Sequence, residues 1–303
     1  MINQNITKVP ENLISLAKKT EFTPAAIVCA HQSFSMESAK KACDLNLINP
    51  IFIGKKNLIN KEADLLKWKI SDYEIYDEDD HQKAAILGAK LGKENKIKVL
   101  IKGNLHTDIL MKVYLKKEFG LIKGRRLSHI WHMTLPNNNK PLFITDGALN
   151  VAPRIDVKMH ILFNVVDFAK KTGINKPRVA VLSGTEDPIE SMPSSMEAKE
   201  IMIRAQKENI EAYIHGPLAF DNAVSLEAAK TKKIKSDVAG KADVLLVPNL
   251  ETGNSLSKIM VYFMNACAAG FVVGGKIPIV VTSRADNASS RLASIAAAII
   301  AAQ

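Results

Sequence analysis

Aromatic residues are scarce in this 303-residue chain, at 6% of positions. A surface that stacks nucleobases needs rows of such rings, so a nucleic-acid partner is a poor fit. No long basic run occurs: the lysines come in scattered pairs such as Lys18-Lys19, Lys55-Lys56 and Lys116-Lys117, which read as solvated helix faces. The three cysteines, Cys29, Cys43 and Cys267, form neither a CxxC pair nor an even framework, which suits packed thiols in a reducing cytoplasm. The longest apolar tract, Leu292 to Ala302, is Ala-rich and too short to cross a bilayer. Met1 to Ser15 lacks a basic stretch leading into an apolar core. These absences predict a soluble cytoplasmic protein with neither nucleic-acid nor membrane partners.

Several chemical signatures are missing too. There is no GxGxxG, no HExxH and no GxSxG, which weakens the dinucleotide, zinc-protease and serine-hydrolase readings. The stretch Gly270 to Lys276 matches the first seven positions of a phosphate-binding P-loop. Its eighth position is Ile277 where a metal-holding hydroxyl belongs, and its glycines precede a strand instead of following one. His129 and His132 sit on a strand-like segment, where residues three apart face opposite ways, so no shared metal is expected. The acidic run Asp77 to Asp80 precedes a helix, where acids complement the dipole.

What the chain does have is a formal charge of +10 with ordinary hydrophobic (47%) and charged (24%) content. Such a diffuse positive field attracts anionic metabolites. The length favours two domains. From Ala25 to Ile300, short apolar runs alternate with helical patterns, the rhythm of parallel sheets covered by helices. Strands are expected at 25–30, 50–54, 73–76, 97–101, 128–134, 142–145, 179–182, 212–214, 244–247 and 279–282. A helix is expected at 35–47 with Ser35 as its N-cap. Gly147 and Pro153 punctuate the chain where a domain boundary is expected.

The segment Ala242 to Ile300 concentrates the functional signal. Val244 to Val247 runs into the polar turn Asn249 to Ser255, followed by Leu256, Ile259, Met260, Phe263 and Met264 at helical spacing. Ile279 to Thr282 then ends at Ser283-Arg284, before a small-residue helix from about Asn287. Ligands of open α/β sheets bind beyond the carboxyl strand ends. Helix N-termini favour anions there, and a guanidinium forks onto phosphate. Ordinary helix capping by Ser and Asn is the alternative.

VPNLETGNSLSK, followed later by PIVVTSRAD, resembles the phosphate acetyl/butyryl transferase family, nearer its butyryltransferase branch. ITDGALNVAPRID and HGPLAFDNAVSLEAAK extend the similarity over nearly the whole chain. The resemblance implies an isocitrate/isopropylmalate dehydrogenase-like fold of two doubly wound α/β domains with a cleft between them. The expected division is 1–147 plus 285–303, and 148–284. It also implies a homo-oligomer, usually dimeric, and the reaction acyl-CoA + phosphate = acyl phosphate + CoA. Coenzyme A and phosphate would be substrates, with no metal and no tightly bound cofactor. By the same resemblance Ser283 and Arg284 are catalytic, while Lys102, Thr107, Lys112, Gly253, Asn254 and Lys258 bind substrate; Asp286, the nearest carboxylate, is the further catalytic candidate, with capping of the last helix as its alternative role. Arg284 would hold phosphate, and Ser283 the carbonyl oxygen as it becomes negative. Two positions depart from the family. Lys112 stands for an arginine, and Ser290 for the aspartate that serves the acetyltransferase branch as base, which leaves the base unassigned. A non-catalytic CoA-sensing homologue and an oxidoreductase of similar fold are the competing readings.

Overall fold

The computed structural model describes residues 7–20, 22–138, 140–283 and 286–303. They fall into two compact units, one containing Lys8–Arg125 with Ala269–Gln303 (the terminal unit) and one containing Arg126–Ala268 (the central unit).

In the terminal unit β1 (Thr23–Val28), β2 (Ile48–Gly54), β3 (Ile75–Asp77) and β4 (Val99–Lys102) alternate with α2 (Ser33–Asp44), α3 (Lys56–Leu65) and α4 (His81–Lys93). α1 (Glu11–Ala17) precedes them and α5 (Thr107–Tyr114) follows. β10 (Cys267–Val273), β11 (Ile279–Val280) and α11 (Ala288–Ala302) complete the unit, which takes β10 from Ala269 onward. The strand order is β3-β2-β1-β4-β11-β10, parallel except for the hairpin-like pair β10 and β11. From β1 the chain moves outward to β2 and β3, then crosses back to β4. Right-handed crossovers in opposite directions put α2 and α3 on one face and α4 on the other. The strands are accordingly apolar on both faces, as Ala25, Ala26, Ile27 and Val28 show.

The central unit holds β5 (Ser128–Thr134), β6 (Leu142–Thr145), β7 (Arg178–Leu182), β8 (Tyr213–Leu218) and β9 (Val244–Leu246) in the order β5-β6-β9-β7-β8. Only β5 runs antiparallel. Its helices are α6 (Ile155–Lys171), α7 (Pro193–Lys207), α8 (Phe220–Val224), α9 (Leu226–Thr231) and α10 (Leu250–Met264). Trp131, Met133, Ile144 and Leu245 face a core to which α10 adds Leu256, Met260 and Val261. The opposite face meets α6, where Phe143 stands edge-on to Phe168. Strand alternation sends the His129 ring to Trp131 and the His132 ring to Phe143, as expected of residues three apart.

The boundaries differ from those expected. The first break falls at Arg125/Arg126, not after Gly147, because β5 pairs with β6 and β6 with β9. The second falls at Ala268/Ala269, because β11 pairs with β4. Ser35 does not cap α2: Gln32 holds the N-cap position, and Ser35 lies inside the first turn. The helix expected from Leu256 begins at Leu250, since Asn249 caps it. Of its expected core stripe, Ile259 (49%), Phe263 (73%) and Met264 (45%) are exposed.

Burial lowers the pKa of His132 from 6.5 to about 4. His129 is lowered by burial as well, the Asp146 carboxylate opposing that shift. Both rings are therefore neutral in the fold and take up protons on unfolding below pH ~6.5. Their contribution is complete above that pH and is lost as the pH falls toward 4. The slope is at most about 1.4 kcal/mol per pH unit for each. Thermal melts from pH 7 to 4 should show this decline, and His132→Gln should flatten it by about one proton. An unchanged slope would mean that His132 titrates alike in both states.

Candidate active site

Parallel strands end together, so the loops after them share one edge. In the terminal unit that edge carries the loops after β1, β4 and β11. Gly103 follows β4 and donates its N–H to the Val28 carbonyl at 2.8 Å, while Asn104 donates to the Cys29 carbonyl at 2.8 Å. A Cβ on Gly103 would lie 2.4 Å from the Cys29 oxygen, so only glycine lets these loops meet. Cys29 itself has φ +57°. Burial, helped by Asp79 and Asp80, pushes its thiol up to about 12, which removes it as a nucleophile at neutral pH.

Lys102 ends β4, and its Nζ donates to the carbonyls of Gly103 (3.3 Å) and Leu105 (3.2 Å) in its own loop. Thr107 is exposed and opens α5. Lys112 stands on the exposed side of that helix, 3.2 Å from Asp108, an i,i+4 pair of small energy. Val280 of β11 lies opposite Ile101 of β4, which sets the Ser283 loop beside the Lys102 loop at the same edge. The Ser283 N–H donates to Asp286 Oδ2 at 2.7 Å, and the Asp286 N–H to the Ser283 carbonyl at 3.1 Å. Asp286 thus closes a turn on Ser283 instead of capping the last helix, a task Asn287 performs by accepting from the Ser290 N–H. Ser290 is buried in α11's first turn. Arg284 lies outside the described residues.

In the central unit the loop after β6 meets the start of α10. A Cβ on Gly253 would sit 2.8 Å from Gly147 Cα and 3.1 Å from the Asp146 carbonyl oxygen. Asn254 Nδ2 donates to the Gly147 carbonyl at 3.4 Å. Lys258 is one turn further along and, among the described residues, makes no ion pair. The helix start is less open than expected: Asn249 Oδ1 accepts from the Thr252 N–H, and Leu250 N–H is taken by the Val151 carbonyl.

Sequence reasoning gave no role to Asp146. Its buried carboxylate accepts from the N–H groups of Ala148, Leu149 and His129 and from Asn150 Nδ2. Four donors on one carboxylate make the 146–150 loop rigid. The only sequence signal was an acid followed by glycine directly after a strand.

The carboxyl edge of the terminal unit presents a hydroxyl, a carboxylate and lysines. Among the described residues no group of three or more His, Cys, Asp or Glu could hold a metal, and no helix is long and apolar enough to cross a membrane. The chain belongs to the phosphate acetyl/butyryl transferase family, whose model, described as phosphate acetyl/butaryl transferase, matches residues 78–301. It is a phosphate acyltransferase. It is 39% identical to the phosphate acetyltransferase of Rhizobium meliloti over 95% of this chain and 92% of that protein. With the phosphate butyryltransferase of Clostridium beijerinckii the identity is 35% over 97% and 98%. The crystal structure of a branched-chain phosphotransacylase from Enterococcus faecalis V583 matches with a TM-score of 0.81 at 30% identity, covering 93% of this chain and 99% of that one.

The Gly253–Gly147 contact yields a test. Gly253→Ala should destabilise by about 1–3 kcal/mol through overpacking and displace the start of α10. Ser255→Ala, on the exposed side of the same helix, should leave the melting temperature unchanged. Equal melting temperatures for both variants would show that the seam yields without cost.

Proposed function

We propose that this chain transfers a short acyl group between CoA and inorganic phosphate, with butyryl preferred to acetyl. The observation that carries the reading is the neighbouring placement of the Ser283 turn and the Lys102 loop on adjacent parallel strands. A phosphate oxygen attacks the thioester carbonyl carbon. The C–O bond forms, the C–S bond breaks, and the thiolate leaves with CoA. Ser283 Oγ–H donates to the carbonyl oxygen as negative charge develops, the interaction that acyl transfer most depends on. In the reverse direction the CoA thiol must lose a proton, and Asp286 is the carboxylate beside Ser283 to receive it. Ser290 is excluded from that task by its burial inside α11 and by its chemistry. By resemblance Arg284 binds the phosphate. Lys102, Thr107, Lys112, Gly253, Asn254 and Lys258 serve the substrates.

Ser290 in place of the acetyl-branch aspartate motivates the butyryl preference, although relatives of both names resemble the chain. A phosphate-dependent CoA-release assay over acetyl- to hexanoyl-CoA should run fastest near butyryl-CoA and should survive a chelator. A tenfold acetyl preference would overturn the preference. Absence of turnover throughout would favour a CoA-sensing protein, and a melting shift with NAD or NADP an oxidoreductase. In the same assay Arg284→Lys should raise the KM for phosphate and lower turnover on the order of a hundredfold, because lysine drops the two-pronged grip. Unaltered phosphate kinetics would remove Arg284 from the site.

The protein works, in this reading, as a homodimer built on the central unit. Ile259, Tyr262, Phe263 and Met264 leave the far end of α10 apolar and exposed. Met260 and Met264 share a groove of about 340 Å³ with Phe220 and Val224. A second copy of this surface would bury both, as two-fold interfaces do. Sedimentation should give a dimer that Phe263→Glu converts to monomer, and a monomeric parent protein would sink the idea.

A further inference from the structure

Arg291, in the first turn of α11, is only 9% exposed. Its Nε donates to Ser38 Oγ at 3.1 Å, Nη1 donates to the Asp286 carbonyl, and the guanidinium carbon stands 5.5 Å from the Phe34 ring centroid. Among the described residues no carboxylate pairs with it. A buried cation without a counter-ion is costly, and hydrogen bonds to neutral groups with one ring contact offset only part of that. The neighbours Leu292, Ala293, Ile295 and Ala296 are all buried and apolar. A methionine would satisfy this packing at lower cost. The guanidinium therefore points to a demand other than stability.

That demand is visible in what Arg291 holds. The Asp286 carbonyl belongs to the residue whose carboxylate and N–H close the turn on Ser283. Ser38, the other anchor, is fixed in α2 by its own bond to the Phe34 carbonyl at 2.7 Å. The chain of contacts runs from α2 through Arg291 to Asp286 and on to the Ser283 N–H. We propose that Arg291 is a positioning residue: it ties the Ser283 turn to α2 so that the Ser283 hydroxyl is held where the oxyanion forms. This rests on the reading of Ser283 given above. The planar fork reaches two acceptors on different elements at once, which a lysine ammonium on a flexible stem does not reproduce. Displacement of a reacting group by about 1 Å can cost on the order of a hundredfold in rate.

Arg291→Met is the primary test. We expect kcat to fall at least tenfold, the KM for acyl-CoA to stay within twofold, and the melting temperature to hold or rise. Amide hydrogen exchange at Ser283 should quicken at least tenfold while the later turns of α11 keep their protection. Arg291→Lys, which retains the charge, should show the same kinetic split and provides the second variant if the methionine form does not fold. Unchanged kcat overturns the proposal, as does a loss of kcat without faster exchange at Ser283. A loss that merely follows a lower melting temperature and exchange throughout α11 overturns it too, because that is the mark of a brace for the fold. If the parent protein releases no CoA from any acyl-CoA, the acyl-transfer reading fails by itself, and the Ser283 exchange still decides whether Arg291 holds the turn.

Discussion

A parallel sheet covered on both faces leaves backbone polar groups unpaired along its edge strands and at its strand ends, and those at the ends must be satisfied where the chain turns. Much of this structure follows from that constraint. At the carboxyl edge of the terminal sheet, the N–H groups of Gly103 and Asn104 extend the pairing of β4 with β1 past the last strand residue. At the corresponding edge of the central sheet, the Asp146 carboxylate gathers the donors that the turn would otherwise strand. The loops there are stiff because their polar groups are already spent on one another. A stiff loop holds a reacting group at little entropic cost, so the demands of folding and of chemistry coincide at these edges.

The positive charge of the chain divides into three populations. Many lysines sit in exposed pairs with acids, such as Lys40 with Asp44 and Lys55 with Asp79, where each pair contributes little. Others close loops on carbonyls, as Lys102 does. Lys258 stands apart from acidic partners among the described residues and leaves its charge to whatever approaches. A net charge of +10 therefore understates how selectively the field is arranged.

The alternation of strand, polar turn and helix was legible in the sequence because buried parallel strands are short, wholly apolar and ended by turn residues. Membership of a unit was not legible. β5 and β6 look like a continuation of what precedes them, and only their pairing toward β9 assigns them to the central unit. Gly147 and Pro153 resembled a linker, whereas Gly147 is a packing contact. Thr252 and Asn254 read as turn residues, yet Asn249 makes them the opening of a helix. At the candidate site Ser283 could be named by resemblance and Asp286 as the nearest carboxylate, but not the hydrogen bonds that join them. Arg291 carried no signal: eight residues beyond Ser283, on an alanine-rich helix, its burial depends on α2 lying across it.

The Gly147–Gly253 seam has a mechanical consequence. Backbone meets backbone there, with no side chain on either residue to change rotamer. A contact of that kind has no cushion: it transmits a push or it breaks. The helix α10, about 22 Å long at 1.5 Å per residue, and the loop locked by Asp146 thus behave as one lever. A load on the exposed end of that lever is felt at the other end as displacement, not absorbed as side-chain rearrangement along the way.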